Sequence, residues 1–355
     1  MKRSIVSGRI VNPPTSNRTL VAHSTTARNL STLALGLACA SFVLAACASA
    51  QPDPTPYESP TLSSCPLFPP DHIWNTPITT APLDPKSTAF VASIGATRTM
   101  HPDFGSGLWD GGLIGIPYTI VGAGQQRVDV SFYYPTESDP GPYPIPPDTP
   151  VEGAPPGGTA SGGDRHVIVV DTGECVLYEL FDAERQPNGS WQAGSGAIFD
   201  LNGYALRPDG WTSADAAGLP ILPGLVRYEE VAAGAIHHAL RFTAPITSNV
   251  HVWPARHDAS SETGAAYPPM GQRFRLRADF DASGFSPEAQ VIVQALQTYG
   301  MILADNGSAW YLSGAPDERW DNDALRDLKE IRGEDFEAVD VSGWMVDADS
   351  GLAAP

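Results

Sequence analysis

The sequence predicts a mainly β protein: one large domain resembling a β-sandwich or jelly roll, with one or two covering helices. Short runs of β-branched and aromatic residues, such as 118–121 and 128–134, recur through the middle of the chain. Polar turns containing glycine separate these runs. Only two segments repeat apolar residues at helical spacing. Many short strands with few helices are typical of sandwich and barrel folds.

The N-terminus predicts export and lipid anchoring. Residues 30–46 are largely apolar, and the chain before them carries cations but no acidic residue. The run ends in Leu44-Ala45-Ala46-Cys47, which resembles the lipobox of bacterial lipoproteins. We therefore predict a lipoprotein-type signal peptide over 1–46 and lipidation of Cys47. The mature protein is then expected outside the cytoplasm, anchored to the bacterial membrane by its lipid or secreted; an ordinary anchor helix is the alternative.

Composition separates a spacer from a folded domain. Residues 47–64 are rich in proline, serine and threonine, which predicts a flexible spacer. Residues 65–345 are predicted to form the β-rich globular domain. A Pro/Gly-rich stretch at 140–163 is either an internal boundary or, as we prefer, a long loop over a binding face. Cys65 and Cys175 remain once the signal peptide and the lipidated cysteine are set aside, so a disulfide between them is expected in an oxidising compartment.

The net charge narrows the set of partners. The chain has a formal charge of −19, and removal of residues 1–46, with five cations and no acidic residue, lowers it to −24. A surface with this much negative charge repels nucleic acid and anionic lipid. The membrane contact is therefore expected to come from the N-terminal lipid. No cofactor and no metal are predicted, since cysteine and histidine spacings typical of zinc sites do not occur. Calcium held by acidic residues stays an alternative, because oxygen ligands leave little trace in a sequence; the candidates are Asp279, Asp281, Asp305 and Asp321.

Several elements can be predicted individually. The segment 166–181 contains two β-rich runs joined by a tight polar turn, which predicts a hairpin. An Asn-Gly pair inside 301–312 predicts a second hairpin. A Ser-Pro-Glu start and a glycine after the last apolar position predict a helix over 286–299. Residues 321–332 are expected to form another helix, and 249–253 a strand.

Four polar blocks at the ends of predicted strands are the candidates for a functional site: 163–166, 207–215, 237–241 and 251–257. Five of the seven histidines beyond the signal peptide lie in three of these blocks, each together with an arginine. Such groups are typical of a saccharide site, in which tryptophan rings stack on sugars while arginines and carboxylates bind hydroxyls. The alternative interpretation is structural: the histidines bond strand-end carbonyls and the arginines pair with surface carboxylates.

Glu179 and Asp200 are the predicted catalytic pair. Glu179 lies inside an apolar strand, where burial raises a carboxyl pKa toward general-acid use. Asp200 follows a similar apolar run, and Asp215 is the reserve candidate. Asp305 is interpreted as a turn residue of the second hairpin.

The polar blocks supply the predicted substrate contacts. His238, Arg256 and His257 are expected to bind the substrate, and Trp211 and Trp253 to stack on sugar rings. The segments Val252-Trp253-Pro254-Ala255-Arg256-His257 and 299–311 (YGMILADNGSAWY) are similar to segments of a group of secreted bacterial proteins and lipoproteins. The resemblance covers roughly residues 65–340. It implies no activity, because none is assigned to that group, so the functional prediction rests on the residues.

Three functions fit these residues. The first hypothesis is a surface-anchored glycoside hydrolase that acts on a polysaccharide with two carboxylates. The second is a polysaccharide lyase on a uronate polymer, in which Arg165 or Arg256 neutralises the uronate and His166 or His238 abstracts the proton. The third is a non-catalytic glycan-binding or envelope lipoprotein, which needs the aromatic rings and arginines but no proton-transfer pair.

Overall fold

The computed structural model describes residues 59–160 and 162–355, and these lie within one compact unit, 53–355. The described chain is mainly β, which confirms the predicted fold class. Among the described residues, every helix is too short or too polar to cross a membrane.

Several sequence predictions fall outside the described residues. These are the signal peptide at 1–46, the lipidated Cys47 and the part of the spacer before residue 59. The Pro/Gly-rich stretch at 140–163 lies inside the compact unit.

The described residues contain seventeen short strands and three α-helices. The strands are β1 (Thr61–Leu62), β2 (Cys65–Pro66), β3 (His101–Asp103), β4 (Leu108–Trp109), β5 (Gly112–Leu113), β6 (Tyr118–Val121), β7 (Val130–Phe132), β8 (Val167–Asp171), β9 (Val176–Phe181), β10 (Glu184–Arg185), β11 (Trp191–Ala193), β12 (Ser195–Asp200), β13 (Leu240–Ala244), β14 (Arg273–Leu276), β15 (Met301–Asn306), β16 (Tyr311–Ser313) and β17 (Phe336–Val339). The α-helices are α1 (Ser87–Ile94), α2 (Tyr228–Ala233) and α3 (Pro287–Thr298). The 3-10 helices include Leu222–Gly224, of three residues, and Ala324–Glu330, of seven residues.

The largest sheet has six strands in the order β17-β14-β15-β13-β16-β3, with both parallel and antiparallel pairs. One face is apolar: Phe242 pairs with Leu303 and Leu312, and directly paired side chains point to the same side. Trp310 stacks on Phe242 with 5.7 Å between ring centroids and donates its indole N–H to the Gly95 carbonyl at the end of α1. Aromatic stacking therefore joins this face to its covering helix.

The opposite face of the six-stranded sheet is polar. Thr243 pairs with Tyr311 on one side and with Asp305 on the other. The register between β13 and β15 shifts just before Thr243, so that Ala304 is skipped. This β-bulge turns the Asp305 side chain to the polar face, where Arg241, two residues before Thr243, also projects.

A four-stranded sheet, β12-β9-β8-β6, forms the middle layer of the domain. Leu177 and Phe199 on one face belong to the same hydrophobic cluster as the six-stranded sheet. Tyr178 and Leu180 on the other face pack with Trp191 of the three-stranded sheet β10-β11-β7. Side chains on both faces of the middle sheet are therefore buried, which explains the nearly continuous apolar sequence of β8 and β9.

One predicted hairpin is confirmed and the other is wrong. The hairpin at 166–181 is the antiparallel pair of β8 and β9. β15 and β16 do not pair with each other, because β13 lies between them and pairs with both. Residues 307–310 instead cross the end of β13, where the Gly307 N–H bonds the Ala244 carbonyl. Tertiary pairing thus outweighs the local turn preference of the Asn-Gly pair.

Of the two predicted helices, one is confirmed as an α-helix and the other is a 3-10 helix. The helix over 286–299 is confirmed as α3. The helix predicted over 321–332 is a 3-10 segment, Ala324–Glu330, in which Leu325 and Leu328 are buried three residues apart, the repeat of a 3-10 turn. The strand predicted at 249–253 is absent from the described strands, and that segment contributes one isolated bridge, between His251 and Met270.

Both ends of the described chain extend the domain beyond the predicted bounds of 65–345. β1 lies before the predicted start at residue 65 and pairs with β2, which begins at that residue. Near the C-terminus, the Ala353 N–H bonds the Asp71 carbonyl and the Gly351 N–H bonds the Tyr204 carbonyl. Cys65 and Cys175 are joined by a disulfide, which ties β2 to the turn between β8 and β9.

Candidate functional site

A cavity of about 420 Å³ opens beside the polar face of the six-stranded sheet. Seven separate segments of the chain build its wall. The wall contains carboxylates, an imidazole and aromatic rings. They belong to Tyr134, Asp164, Phe181, Asp215, His257 and Asp305. Titratable groups converge with aromatic surface here, and we name this space the catalytic cavity after the role that we propose for it.

A buried ion pair lies at the inner wall of the catalytic cavity. The Arg241 guanidinium donates to both carboxylate oxygens of Asp215, at 2.6 and 2.9 Å. It also donates to the Ser313 hydroxyl at 2.6 Å and to the Asp305 carboxylate at 3.3 Å. Burial alone would lower the pKa of Arg241, but Asp215 raises it above its ordinary value. The forked geometry therefore holds the Asp215 and Asp305 carboxyls in fixed positions.

Asp305 is the carboxyl of this group that meets the solvent. Its side chain is 20% exposed, whereas that of Asp215 is fully buried. Burial, and next the negative charge of Asp215, raise the pKa of Asp305 to about 7, against the opposing charge of Arg241. Asp305 thus keeps its proton up to nearly neutral pH while it faces the cavity, which suits a general acid.

His166 and Glu152 form a second ion pair behind the catalytic cavity. His166 Nδ1 lies 2.5 Å from the Glu152 carboxylate, and Nε2 lies 3.0 Å from the Ala214 carbonyl. Burial lowers the pKa of His166, but Glu152 outweighs it and raises the pKa to about 9. The imidazole is therefore a buried cation whose two N–H groups are occupied. His166, which was predicted to bind substrate, lines neither the catalytic cavity nor the cavities of about 690 and 830 Å³, and it has no free nitrogen to abstract a proton.

A second cavity, of about 690 Å³, adjoins the first, because Asp164 lines both. β3 contributes His101, whose ring stacks on Tyr311 with 4.3 Å between centroids. Asp103, two residues along β3, also lines this cavity. Desolvation, and next the charge of Glu152, raise the pKa of the Asp103 carboxyl. We call this space the aromatic cavity.

A larger cavity, of about 830 Å³, is lined mainly by residues from 147–160 and 183–187; it shares Leu113 with the aromatic cavity, but Asp103, Asp164 and Asp305 do not line it. Arg165, predicted to bind substrate, lines it but is ion-paired with Asp182. We assign the site to the two smaller cavities, because carboxyls with raised pKa values border them and perturbed titration marks functional sites better than volume does.

Glu179 is not a catalytic residue in this structure. It is fully buried, and its carboxylate accepts the backbone N–H groups of Ile221, at 2.9 and 3.0 Å, and of Leu222, at 2.9 Å. Burial raises the pKa of Glu179 to about 7, against the lowering effect of these N–H donors. The raised pKa was predicted, but the exposed surface that a catalytic acid needs is absent.

Asp200 does not face Glu179, so the predicted pair does not form. Ala197 stands opposite Glu179 in the sheet, and Asp200 follows Ala197 by three residues. Alternation along a strand therefore places the two carboxyls on opposite faces of the sheet. Asp200 is exposed and accepts the Asn202 N–H at 2.9 Å in the turn after β12.

His238 and Arg256 hold the fold and do not border either cavity. His238 is buried, 3.1 Å from the Glu230 carboxylate and 2.8 Å from the Ala239 carbonyl. Arg256 is also buried; it bonds two backbone carbonyls and pairs with Asp349 at 2.5 Å. These contacts match the structural alternative considered for the polar blocks.

The two predicted stacking residues have other partners. Trp253 donates its indole N–H to the Ser350 carbonyl at 2.8 Å. Trp211 lies against the Arg207 guanidinium, 5.5 Å from the ring centroid. Neither ring lines the catalytic or the aromatic cavity.

Two predicted site residues do line the catalytic cavity. Asp215 was the reserve carboxylate, and its pairing with Arg241 makes it a positioning residue that holds the inner wall. His257 is half-buried, with Nδ1 2.8 Å from the Ala216 carbonyl, so its other ring nitrogen is the one left to meet a ligand.

Asp305, Asp164 and Arg241 were not among the predicted catalytic or substrate-binding residues. Asp305 directly follows an apolar strand, a signal that was available but was assigned to a turn because of the Asn-Gly pair after it. Asp164 and Arg241 lie in two of the polar blocks, where the neighbouring histidines drew the prediction instead.

The chain was compared with protein-family models, curated proteins and solved structures, and none of them matches it. Within residues 59–160 and 162–355, no group of three or more histidine, cysteine or acidic residues is arranged to hold a metal ion. Asp279, one of the possible calcium ligands, is paired with Arg277 at 3.1 Å.

Proposed function

We propose that this protein is a glycoside hydrolase with Asp305 as the general acid and Asp164 as the second carboxylate. One observation carries the proposal: Asp305 faces a cavity and keeps its proton to about pH 7, because it is buried beside the Arg241–Asp215 pair. Cleavage of a glycosidic bond requires such an acid to protonate the departing oxygen.

Asp164 is suited to the complementary role. Its side chain is exposed and lines both cavities, and its negative charge is among those that raise the pKa of Asp305, so the two carboxyls are near neighbours. In such a pair one carboxyl donates the proton and the other activates water or attacks the sugar. The predicted location outside the cytoplasm is consistent with a polymeric glycan as substrate.

Arg241 and Asp215 act through Asp305 and are positioning residues. The charge of Asp215 raises the pKa of Asp305, and the Arg241 guanidinium limits that rise while fixing the carboxyl 3.3 Å away. The balance between these two charges sets the pH at which Asp305 loses its proton.

The two alternatives have weaker support. A lyase through Arg165 or Arg256 with His166 or His238 lacks a free base or an unpaired cation. Arg165 is ion-paired with Asp182, and the other three are buried and paired. A non-catalytic glycan-binding protein is favoured by one observation, the exposed aromatic surface beside the aromatic cavity. It predicts binding without turnover.

The test is a screen of neutral and uronate-containing polysaccharides that reads both new reducing ends and the ultraviolet absorbance of unsaturated uronates. We expect reducing ends without absorbance, and a rate that falls as the pH rises through about 7, where Asp305 loses its proton. Asp305→Asn, which keeps the shape of the side chain, should lower the rate by about 100-fold or more.

Asp200→Asn is the matched control, because it removes an exposed carboxylate of the same type at the end of β12, in a different sheet from Asp305 and outside both cavities. It should leave the rate unchanged. Equal rates for Asp305→Asn and Asp200→Asn would refute the assignment of the acid. Absorbance together with reducing ends would establish a lyase, and binding without either signal would leave the glycan-binding alternative.

A further inference from the structure

The aromatic cavity has features that the proposed hydrolysis does not use. It lies next to the catalytic cavity through the shared Asp164. Its volume of about 690 Å³ is within the range of ligand-binding pockets. Trp109 and Lys329 both line it, and both side chains are exposed to solvent.

Trp109 is an exposed aromatic residue on a tight hairpin. Its side chain is 79% exposed at the tip of the β4–β5 hairpin. The two turn residues, Asp110 and Gly111, have φ of 49° and 88°, as in a type I′ turn, whose twist matches the flanking strands. A large ring held in solvent beside a cavity offers a flat apolar face at little conformational cost.

Lys329 is an unpaired cation in a strongly acidic protein. Apart from Lys86, it is the only lysine after the predicted signal peptide. None of the ion pairs among the described residues includes Lys329, whereas the neighbouring Arg326 is paired with Asp323 at 2.6 Å. Burial, and next the charge of Lys329, lower the pKa of His101, so that ring stays neutral beside it.

The negative groups of the aromatic cavity are partly compensated. Glu152 is ion-paired with His166 at 2.5 Å, and desolvation together with Glu152 raises the pKa of Asp103. The positive charge of Lys329 therefore belongs to none of these ion pairs. Asp164, which also lines this cavity, is the proposed second carboxylate.

We propose that the aromatic cavity is a subsite for a uronic acid residue of the substrate, with the sugar ring stacked on Trp109 and its carboxylate paired with Lys329. This inference rests on the proposed function, since it names the substrate class of the same cleft. A uronic acid residue fits both Trp109 and Lys329, because its sugar ring has an apolar face and its carboxylate supplies a counter-ion for the lysine.

The experiment measures equilibrium binding with the Asp305→Asn protein, so that turnover does not interfere. The probes are galacturonate, glucuronate and mannuronate oligosaccharides, each beside its carboxyl-reduced neutral counterpart. We expect at least one uronate oligosaccharide to bind about tenfold or more tightly than its neutral counterpart. Lys329→Gln should abolish that preference, and Trp109→Ala should weaken binding of both members of the pair about tenfold.

Lys86→Gln is the matched control, because it removes the other lysine of the mature chain, at the start of α1 and outside this cavity. The proposal is overturned if no uronate oligosaccharide binds preferentially, or if Lys329→Gln behaves like Lys86→Gln. Turnover of a neutral glycan without a binding preference would refute this inference alone. A Lys329-dependent preference without turnover in the unmodified protein would refute the hydrolase and leave the subsite.

Discussion

Replacement of Glu179 by glutamine tests the burial and titration of this carboxyl without knowledge of the substrate. The ordinary pKa of the side chain is 4.5, and burial raises it to about 7 in the folded protein. Between these values the folded state binds more protons than the unfolded state. Stability therefore falls as the pH rises, and the contribution of the neutral carboxyl is lost once the pH passes about 7.

The magnitude follows from the two pKa values. The difference between 4.5 and about 7 corresponds to about 3 kcal/mol of unfolding free energy. Most of this, roughly 2–3 kcal/mol, falls between pH 5 and pH 8. Glu179→Gln has no proton to lose, so the stability advantage of the unmodified protein over the variant should shrink by that amount across this pH range.

The assay is urea unfolding of both proteins at pH 5 and pH 8, with the disulfide intact. Subtracting the two proteins cancels the groups that titrate alike in both. Asp200→Asn is the control, and its stability difference should stay constant because Asp200 is exposed. A Glu179→Gln difference that is equal at both pH values would refute the account of a buried, protonated carboxyl.

Two further stability predictions follow from buried partners. Asp215→Ala removes the nearer acidic partner of the buried Arg241 and leaves Asp305, 3.3 Å away, as its remaining ion-pair partner. We expect a loss of about 3–5 kcal/mol in urea unfolding, with part of it regained in the double variant Asp215→Ala, Arg241→Met. A loss below about 1 kcal/mol would contradict the buried pair. Replacing Cys65 and Cys175 by serine removes a cross-link between residues 110 apart and should cost about 2–5 kcal/mol. An unchanged unfolding midpoint would show that the disulfide does not constrain the unfolded chain.

The elements that the sequence predicted correctly depend on neighbouring residues. The β8–β9 hairpin and α3 were found because alternation, a polar turn and helix-start residues act over a few positions. The second hairpin failed because a distant strand, β13, inserted between β15 and β16. A local turn signal contains no information about such an insertion.

The candidate site was harder to predict than the fold class. Glu179 and Asp305 look alike in the sequence, each an acid within or after an apolar run. The structure buries Glu179 against the N–H groups of Ile221 and Leu222, and it exposes Asp305 to a cavity beside Arg241. Which acid meets the substrate depends on these partners, which lie far away along the chain.

The sequence by itself determined the mainly β class, the β8–β9 hairpin and α3, and it placed polar residues at strand ends, because these features follow from short-range periodicity and turn chemistry. Only the tertiary structure decided that Asp305 turns toward Arg241. That outcome requires a β-bulge in β15, the insertion of β13 and the packing of Asp215 against the same guanidinium. Burial and Coulombic interaction act between groups close in space, so the pKa of Asp305 depends on residues that sequence distance does not bring together.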